Sequence, residues 1–348
     1  MDQDKLMNLL GTVVGDLGGA YSVPLVRMGE ALGLYAALDG APQTPAALAE
    51  ATGCAERYVR EWLANQAGCG YVTFDPDSGA FSLTEEQAMV FARPDSPVYL
   101  IGAFDTAVSG IENQPQVEAA FRSGAGVGWS EQSACLACAV AKFFRPGYEG
   151  NIVEAWLPAL DGVVERLQAG GRVADVGCGH GFSTLIMARA FPEAEVVGFD
   201  FHAPSIEAAR AHAAEHGQAN VRFETATAQD YPGGKYDLVT CFDCLHDMGD
   251  PVGAAAHVRE SLRPGGKWMI VEPLAGDSLQ ENLNPVSRLF YAASTMICVP
   301  TSLAQEKGMA LGAQAGEARL RKTIEAGGFG SVRRAADTPF NMVLEAAA

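Results

Sequence analysis

Three glycines at alternate positions mark the part of this chain best suited to hold a ligand, in the run Val173-Ala174-Asp175-Val176-Gly177-Cys178-Gly179-His180-Gly181. A β-branched apolar segment leads through Asp175 into the glycines, and Phe182-Ser183-Thr184-Leu185-Ile186-Met187-Ala188 then reads as a helix. A strand, a glycine turn and a helix start are where an open α/β sheet seats a nucleotide-like ligand. Side chains at the turn would collide with that ligand or demand a positive φ, so glycine is required. The next strand, Ala194 to Asp200, ends in an acid 19 residues beyond Gly181. An acid at that separation sits at the tip of the neighbouring strand and can accept hydrogen bonds from ribose hydroxyls. The turn lacks the Gly-x-Gly-x-x-Gly spacing that seats a pyrophosphate on a helix N-terminus.

Three more strands follow: one near Val221-Arg222-Phe223-Glu224, one at Tyr236 to Phe242, and one at Lys267 to Pro273 after Leu262-Arg263-Pro264-Gly265-Gly266. In this order and register, over about 165–348, the landmarks resemble class I S-adenosylmethionine-dependent methyltransferases. An acidic strand tip without a compensating Arg or Lys suits that cofactor, which carries a sulfonium cation rather than phosphates. The resemblance implies an α/β, Rossmann-like doubly wound sheet. It also implies that Gly177, Gly179 and Gly181 approach the methionine part, that Asp175 supports their loop, and that Asp200 holds the ribose with Phe201 packing on the adenine. Thr227, Ala228 and Gln229 would meet the adenine edge. Many relatives carry an acid at the position of Thr227, so here its hydroxyl or backbone amides would read the adenine amine. The Phe242 carbonyl would contact the cofactor's amino group.

The segment Leu245-His246-Asp247-Met248-Gly249-Asp250 resembles the one carrying the catalytic histidine of plant-type O-methyltransferases. By that resemblance His246 is the general base and Glu272 the acid that orients it. An imidazole near its ordinary pKa of about 6.5 accepts a hydroxyl or thiol proton at neutral pH. The second acid of those families has no clear counterpart, because Glu317 lies too close to the Gly328-Phe329 landmark. Two Cys-x-x-Cys pairs, Cys135/Cys138 and Cys241/Cys244, sit on regular elements about a hundred residues apart. A zinc ribbon wants turns and short spacing, so no metal is expected and the thiols read as small hydrophobes.

The elements before this module differ in character. Met28 to Leu38 has helical apolar spacing, Thr44-Pro45 starts a short helix, and Ala55 to Asn65 forms another that buries Tyr58, Val59, Trp62 and Leu63. Two short strands flank Asp75-Pro76-Asp77-Ser78-Gly79, which completes a winged helix over residues 1–93. Such folds often read DNA, but residues 1–92 hold four basic residues against twelve acids, in a chain with 24 basic and 42 acidic residues and net charge −18. Duplex DNA would be repelled. The layout resembles winged-helix small-molecule methyltransferases, including bacterial ones labelled regulators, whose N-terminal domain dimerises. It implies a homodimer that methylates a small, partly apolar molecule at oxygen, with sulfur or nitrogen as alternative accepting atoms and a DNA-binding, cofactor-sensing regulator as the rival reading. A helical connector is expected over 94–166, broken at Gly124 to Gly128 and at Arg145-Pro146-Gly147. The methyltransferase module takes 167–348, with a lid insertion at about 277–315. No apolar run approaches the ~18–20 residues of a membrane span and no signal peptide is recognisable, so a cytoplasmic protein with reduced thiols is expected.

Overall fold

In the computed structural model, which describes residues 1–347, the chain divides into two units. One comprises Met1–Val108 with Lys142–Pro146, and the other Ser109–Ala141 with the chain from Gly147 onward.

The first unit opens with helix Gln3–Ala31, capped by the Asp2 carboxylate, which accepts from the Asp4 and Lys5 amides at 3.1 Å. The helical pattern from Met28 to Leu38 is interrupted. Gly33 takes a left-handed φ of 69° and a separate helix, Leu34–Leu38, follows. Helices Pro45–Thr52 and Glu56–Gly68, strands β1 (Thr73–Asp75) and β2 (Ala80–Ser82), and helix Glu85–Phe91 complete a winged helix. Thr44 caps the first of these helices, with Pro45 at its first position. Leu34, Tyr35, Leu48, Val59, Trp62, Leu63, Phe81 and Phe91 share one core. Tyr58, expected in that core, is 81% exposed, because it lies one residue off the Val59–Trp62–Leu63 stripe. Helix Gln3–Ala31 is also long and apolar enough to cross a membrane by length and composition, which departs from the sequence expectation. Its small residues, Gly11, Thr12, Gly15, Gly18 and Gly19, break the continuous apolar run, yet the leucines and valines around them keep the helix apolar on average.

In the second unit, helix Gln114–Ser123 ends at left-handed Gly124. Helix Leu136–Asn151, whose residues are shared between the two units, stays helical through Pro146 and Gly147 and continues into a π-helical turn, Ile152–Trp156, where a break was expected. Buried Leu136, Ala139, Tyr148, Ile152 and Trp156 hold this segment together and override the lost proline hydrogen bond.

A seven-stranded sheet follows, made of β3 (Arg172–Val176), β4 (Glu195–Asp200), β5 (Val221–Thr225), β6 (Tyr236–Phe242), β7 (Leu262–Pro273), β8 (Ser331–Asp337) and β9 (Asn341–Ala347), in the order β5-β4-β3-β6-β7-β9-β8. The pairings from β5 to β7 are parallel, and β9 runs antiparallel to both β7 and β8. Strand order reverses between β3 and β6. Ligands of open α/β sheets bind outside the carboxyl ends of the strands at such a switch point. The insertion between β7 and the last helix, Gly316–Ala326, forms helix Pro285–Ala293, a π-helical turn Ser294–Cys298 and helix Val299–Leu303. Phe290, Ile297 and Cys298 are buried there with Leu136 and Ala313.

Candidate active site

The glycine turn leaves β3 at the switch point, and each glycine meets a different constraint. Gly177 and Gly181 have left-handed φ values of 77° and 80°, and an added Cβ would lie 2.6 Å from the Cys244 Sγ or the Phe223 ring respectively. Gly179, with φ 52°, faces open space, so the turn's free side is at this residue. Asp175 lies under the turn and is wholly buried. It accepts from the Ser183 and Thr184 hydroxyls at 2.6 Å and from Thr240 at 2.8 Å. Burial raises its carboxyl above the ordinary value, with the three hydroxyls opposing. It thereby ties β3, the first turn of helix Phe182–Ala190 and β6 together.

Asp200 ends β4 with both oxygens engaged: Oδ2 accepts from the Gly179 amide at 2.9 Å and Oδ1 from the His202 amide at 2.8 Å. It therefore anchors the glycine turn itself, which the sequence did not reveal. Phe201 beside it is half exposed. Thr227 donates from its amide and hydroxyl to Asp230 Oδ1 at 2.7 and 2.8 Å, so its hydroxyl proton is held within its own turn. Ala228 packs at the edge of the main core, and the Gln229 side-chain Nε2 donates to the Asp250 carbonyl at 3.1 Å. Phe242 is buried, its ring centroid 5.1 Å from Tyr148 and 6.2 Å from Trp156.

Just beyond β6 the chain turns sharply through Asp243, a non-glycine residue at φ 49°. Its carboxylate accepts from the Tyr148 hydroxyl at 2.9 Å and from Asn341 at 2.8 Å, which links the end of β6 to the start of β9. Burial, with the Glu272 charge adding, pushes this carboxyl up to about 8. The short helical turn Leu245–Asp247 then brings His246 against β7. His246 Nδ1 lies 2.6 Å from Glu272 Oε2, while Glu272 Oε1 accepts from the Leu245 amide at 2.9 Å. One carboxylate thus fixes both the ring and the backbone that carries it.

On the other side of the ring, Nε2 lies 3.1 Å from Asp247 Oδ1. Burial alone would push the imidazole pKa down, yet the Glu272 and Asp247 carboxylates outweigh it and hold the pKa well above 6.5. The expectation of an ordinary imidazole is corrected accordingly. Asp247 supplies a second acid beside the histidine. Glu317 is instead paired with Arg321 and Arg334, the former at 2.5 Å. The inserted segment is stitched over this turn: Ser302 donates to the Met248 carbonyl, Gln305 bonds Asp247 and Gly249, and the Met309 and Gly312 amides donate to Gly249 and His246. Cys298, from the same segment, completes the group, its thiol raised to about 12 by burial. Asp243 and Asp247 escaped the sequence reading as site residues. Only the adjacency of Asp247 to His246 could have flagged either of them.

Residues 167–327 match the profile of the methyltransferase domain, and residues 20–93 that of the Rv2258c-like winged HTH domain. The chain is similar to the ubiquinone biosynthesis O-methyltransferase of Aromatoleum aromaticum, 34% identical over 128 residues, or 36% of this chain and 51% of that protein. The enzyme of the same name from Bordetella avium is 33% identical over 151 residues, 42% and 56% of the two chains. The chain spans about half the length of these curated relatives. Among solved structures, human N-acetylserotonin methyltransferase with S-adenosylmethionine superimposes with a TM-score of 0.71 at 16% identity, over 99% of this chain and 98% of that one. The mitomycin 7-O-methyltransferase MmcR gives 0.69 at 18% identity over the full length of both chains. An O-methyltransferase family protein from Burkholderia thailandensis gives 0.68 at 19%, over 99% and 98%. The fold is that of class I methyltransferases with an N-terminal winged helix.

Proposed function

With a methyltransferase domain joined to a winged helix as premise, we propose that this chain transfers a methyl group from S-adenosylmethionine to a hydroxyl of a small, partly apolar molecule. The observation that carries this reading is the buried His246–Glu272 pair, 2.6 Å apart, beside a glycine turn whose free side opens at Gly179. The O-methyltransferase names of relatives and structural neighbours support oxygen as the accepting atom.

The cofactor fits the residues present. Gly179 leaves room for close approach, Asp200 brings an acid to the strand tip, and half-exposed Phe201 offers a ring face. Gly177, Gly179, Gly181 and Asp200 would hold its methionine and ribose parts, Thr227, Ala228 and Gln229 the adenine edge, and the Phe242 carbonyl the amino group. When bound, S-adenosylmethionine supplies a methyl carbon already activated by its sulfonium, so the transfer itself is an in-line displacement.

The protein's own task is to position, to exclude water and to take a proton. Glu272 holds the Nδ1–H of His246, and because the imidazole pKa is raised, Nε2 must first release its own proton before it can accept the acceptor's hydroxyl proton. The imidazolium so formed lies between the Glu272 and Asp247 carboxylates, which stabilise it. The insertion stitched over the turn covers this side of the site and supplies apolar surface. Incubating the protein with S-adenosylmethionine and a panel of phenols and hydroxylated aromatic acids tests the reading. Stoichiometric S-adenosylhomocysteine and O-methyl product are expected. A panel that yields neither, with cofactor bound, would overturn it.

The N-terminal unit supports a homodimer rather than a DNA reader. On helix Glu56–Gly68 both arginines are engaged by acids of the same helix, Arg57 with Glu61 at 2.6 Å and Arg60 with Glu56. Helix Gln3–Ala31 instead exposes Leu9, Leu10, Val13, Val14 and Leu17, an apolar face that a second copy would cover.

A further inference from the structure

The side of His246 facing away from Glu272 gathers three groups of metal-ligand type, one of which, Cys298, has no part in the methyl-transfer chemistry. A His246 ring nitrogen, an Asp247 carboxylate oxygen and the Cys298 Sγ all lie within 4.8 Å of one another, and Nε2 is the nitrogen 3.1 Å from Asp247 Oδ1. Asp247 Oδ1 is buried and, although 3.1 Å from Nε2, makes no hydrogen bond with any described residue. The histidine already has the support that metal-binding imidazoles have, its other ring nitrogen held by a buried carboxylate. Buried Glu272 and partly exposed Asp247 flank the single imidazole, and a dication would replace the Nε2 and Cys298 protons without changing the net charge of the group.

We propose that His246, Asp247 and Cys298 form a binding site for a zinc-type divalent cation, and that the bound cation silences methyl transfer by occupying Nε2. The donor set selects the metal. One imidazole, one carboxylate and one thiolate suit borderline and soft ions such as Zn(II), Co(II) and Cd(II), whereas Mg(II) and Ca(II) demand oxygen ligands. Three protein ligands leave a fourth position for water. Coordination requires Cys298 as thiolate and Nε2 without a proton, so binding releases protons to solvent. The second Cys-x-x-Cys pair does not belong to this site. Cys241 and Cys244 lie at the end of β6, with the Cys244 thiol donating to the Val176 carbonyl at 3.3 Å.

Only the inhibition depends on His246 being the base; the binding site stands on its own geometry. The exposed thiols Cys135 and Cys138 would bind metal adventitiously, so the test uses a Cys135→Ser/Cys138→Ser background. Titration with Co(II), followed by absorption, is expected to give one equivalent of binding with a thiolate-to-cobalt charge-transfer band. Cys298→Ser should remove the band, and Asp247→Asn should weaken binding at least tenfold, with the far-ultraviolet circular dichroism of both unchanged. Zn(II) should abolish methyl transfer and a chelator should restore it. Absence of the band, or its persistence in Cys298→Ser, would overturn the site. Full activity with Zn(II) bound would overturn the inhibition. If Co(II) binds as described but no methyl product ever forms, the proposed activity falls and the metal site remains.

Discussion

Glu272 satisfies two donors with its two oxygens, the His246 ring and the Leu245 amide, and no neutral isostere can do both. In Glu272→Gln one carboxamide end must face a donor with its own NH₂, so the ring turns or takes the wrong tautomer. Turnover should fall about 10- to 100-fold, the usual worth of a carboxylate that orients a functional histidine. Steady-state kinetics should show this loss in kcat with cofactor affinity unchanged. Asp243 raises a separate question, of stability rather than rate. Its folded pKa of about 8 lies above the ordinary 3.8, so the native state holds this proton more tightly than the unfolded chain does. The stability it contributes is present in full below 3.8 and is lost as pH rises toward 8. Asp243→Asn keeps an acceptor for Asn341, and the Tyr148 hydroxyl can turn to accept from the new amide. The variant should flatten the decline in unfolding free energy between pH 5 and 9, by an amount on the order of a few kcal/mol. Urea titrations across that range would check it, and parallel curves for the two proteins would count against a buried, protonated Asp243.

Among the elements, the glycine turn makes the sharpest distinction. Gly181→Ala forces a side chain into the Phe223 ring at left-handed φ, and should cost about 2–4 kcal/mol of stability from strain and overpacking together. Gly179→Ala meets no atom and should cost only the ~1–2 kcal/mol of left-handed backbone, while its methyl blocks the open face of the turn. Calorimetry with S-adenosylhomocysteine should therefore find binding lost in Gly179→Ala despite a folded protein. Wild-type affinity in that variant would remove the glycine turn from the cofactor site. The parallel strands were legible because each is a short β-branched run bounded by turn residues, and their acids at 175 and 200 sit at strand ends. What escaped was set by packing between distant segments. Pro146 stays helical because buried neighbours on both sides outweigh one lost hydrogen bond. Gly33, inside an apolar pattern of period 3.6, splits a helix that the pattern alone would continue. Cys298 reaches His246 across about fifty residues of chain, and no local spacing encodes that meeting.

For the molecule as a whole, helix Gln3–Ala31 exposes more apolar surface than its own unit covers, with Leu9, Val14 and Leu17 each more than half exposed. Light scattering at micromolar concentration should give twice the chain mass, and Leu10→Asp/Val14→Asp should give a folded monomer. A monomeric wild-type protein that partitions to vesicles would assign the helix to a membrane surface instead. A protein that shifts duplex DNA in a salt-sensitive way would restore the regulator reading. The central claim is that a buried His246–Glu272 pair serves methyl transfer to a hydroxyl. Its most direct test is turnover of His246→Ala on an acceptor whose hydroxyl pKa lies well above the assay pH. A drop of about 10²- to 10⁴-fold is expected, with S-adenosylmethionine affinity unchanged. Full activity of His246→Ala on that acceptor would contradict the account and leave positioning and desolvation alone as the catalytic devices.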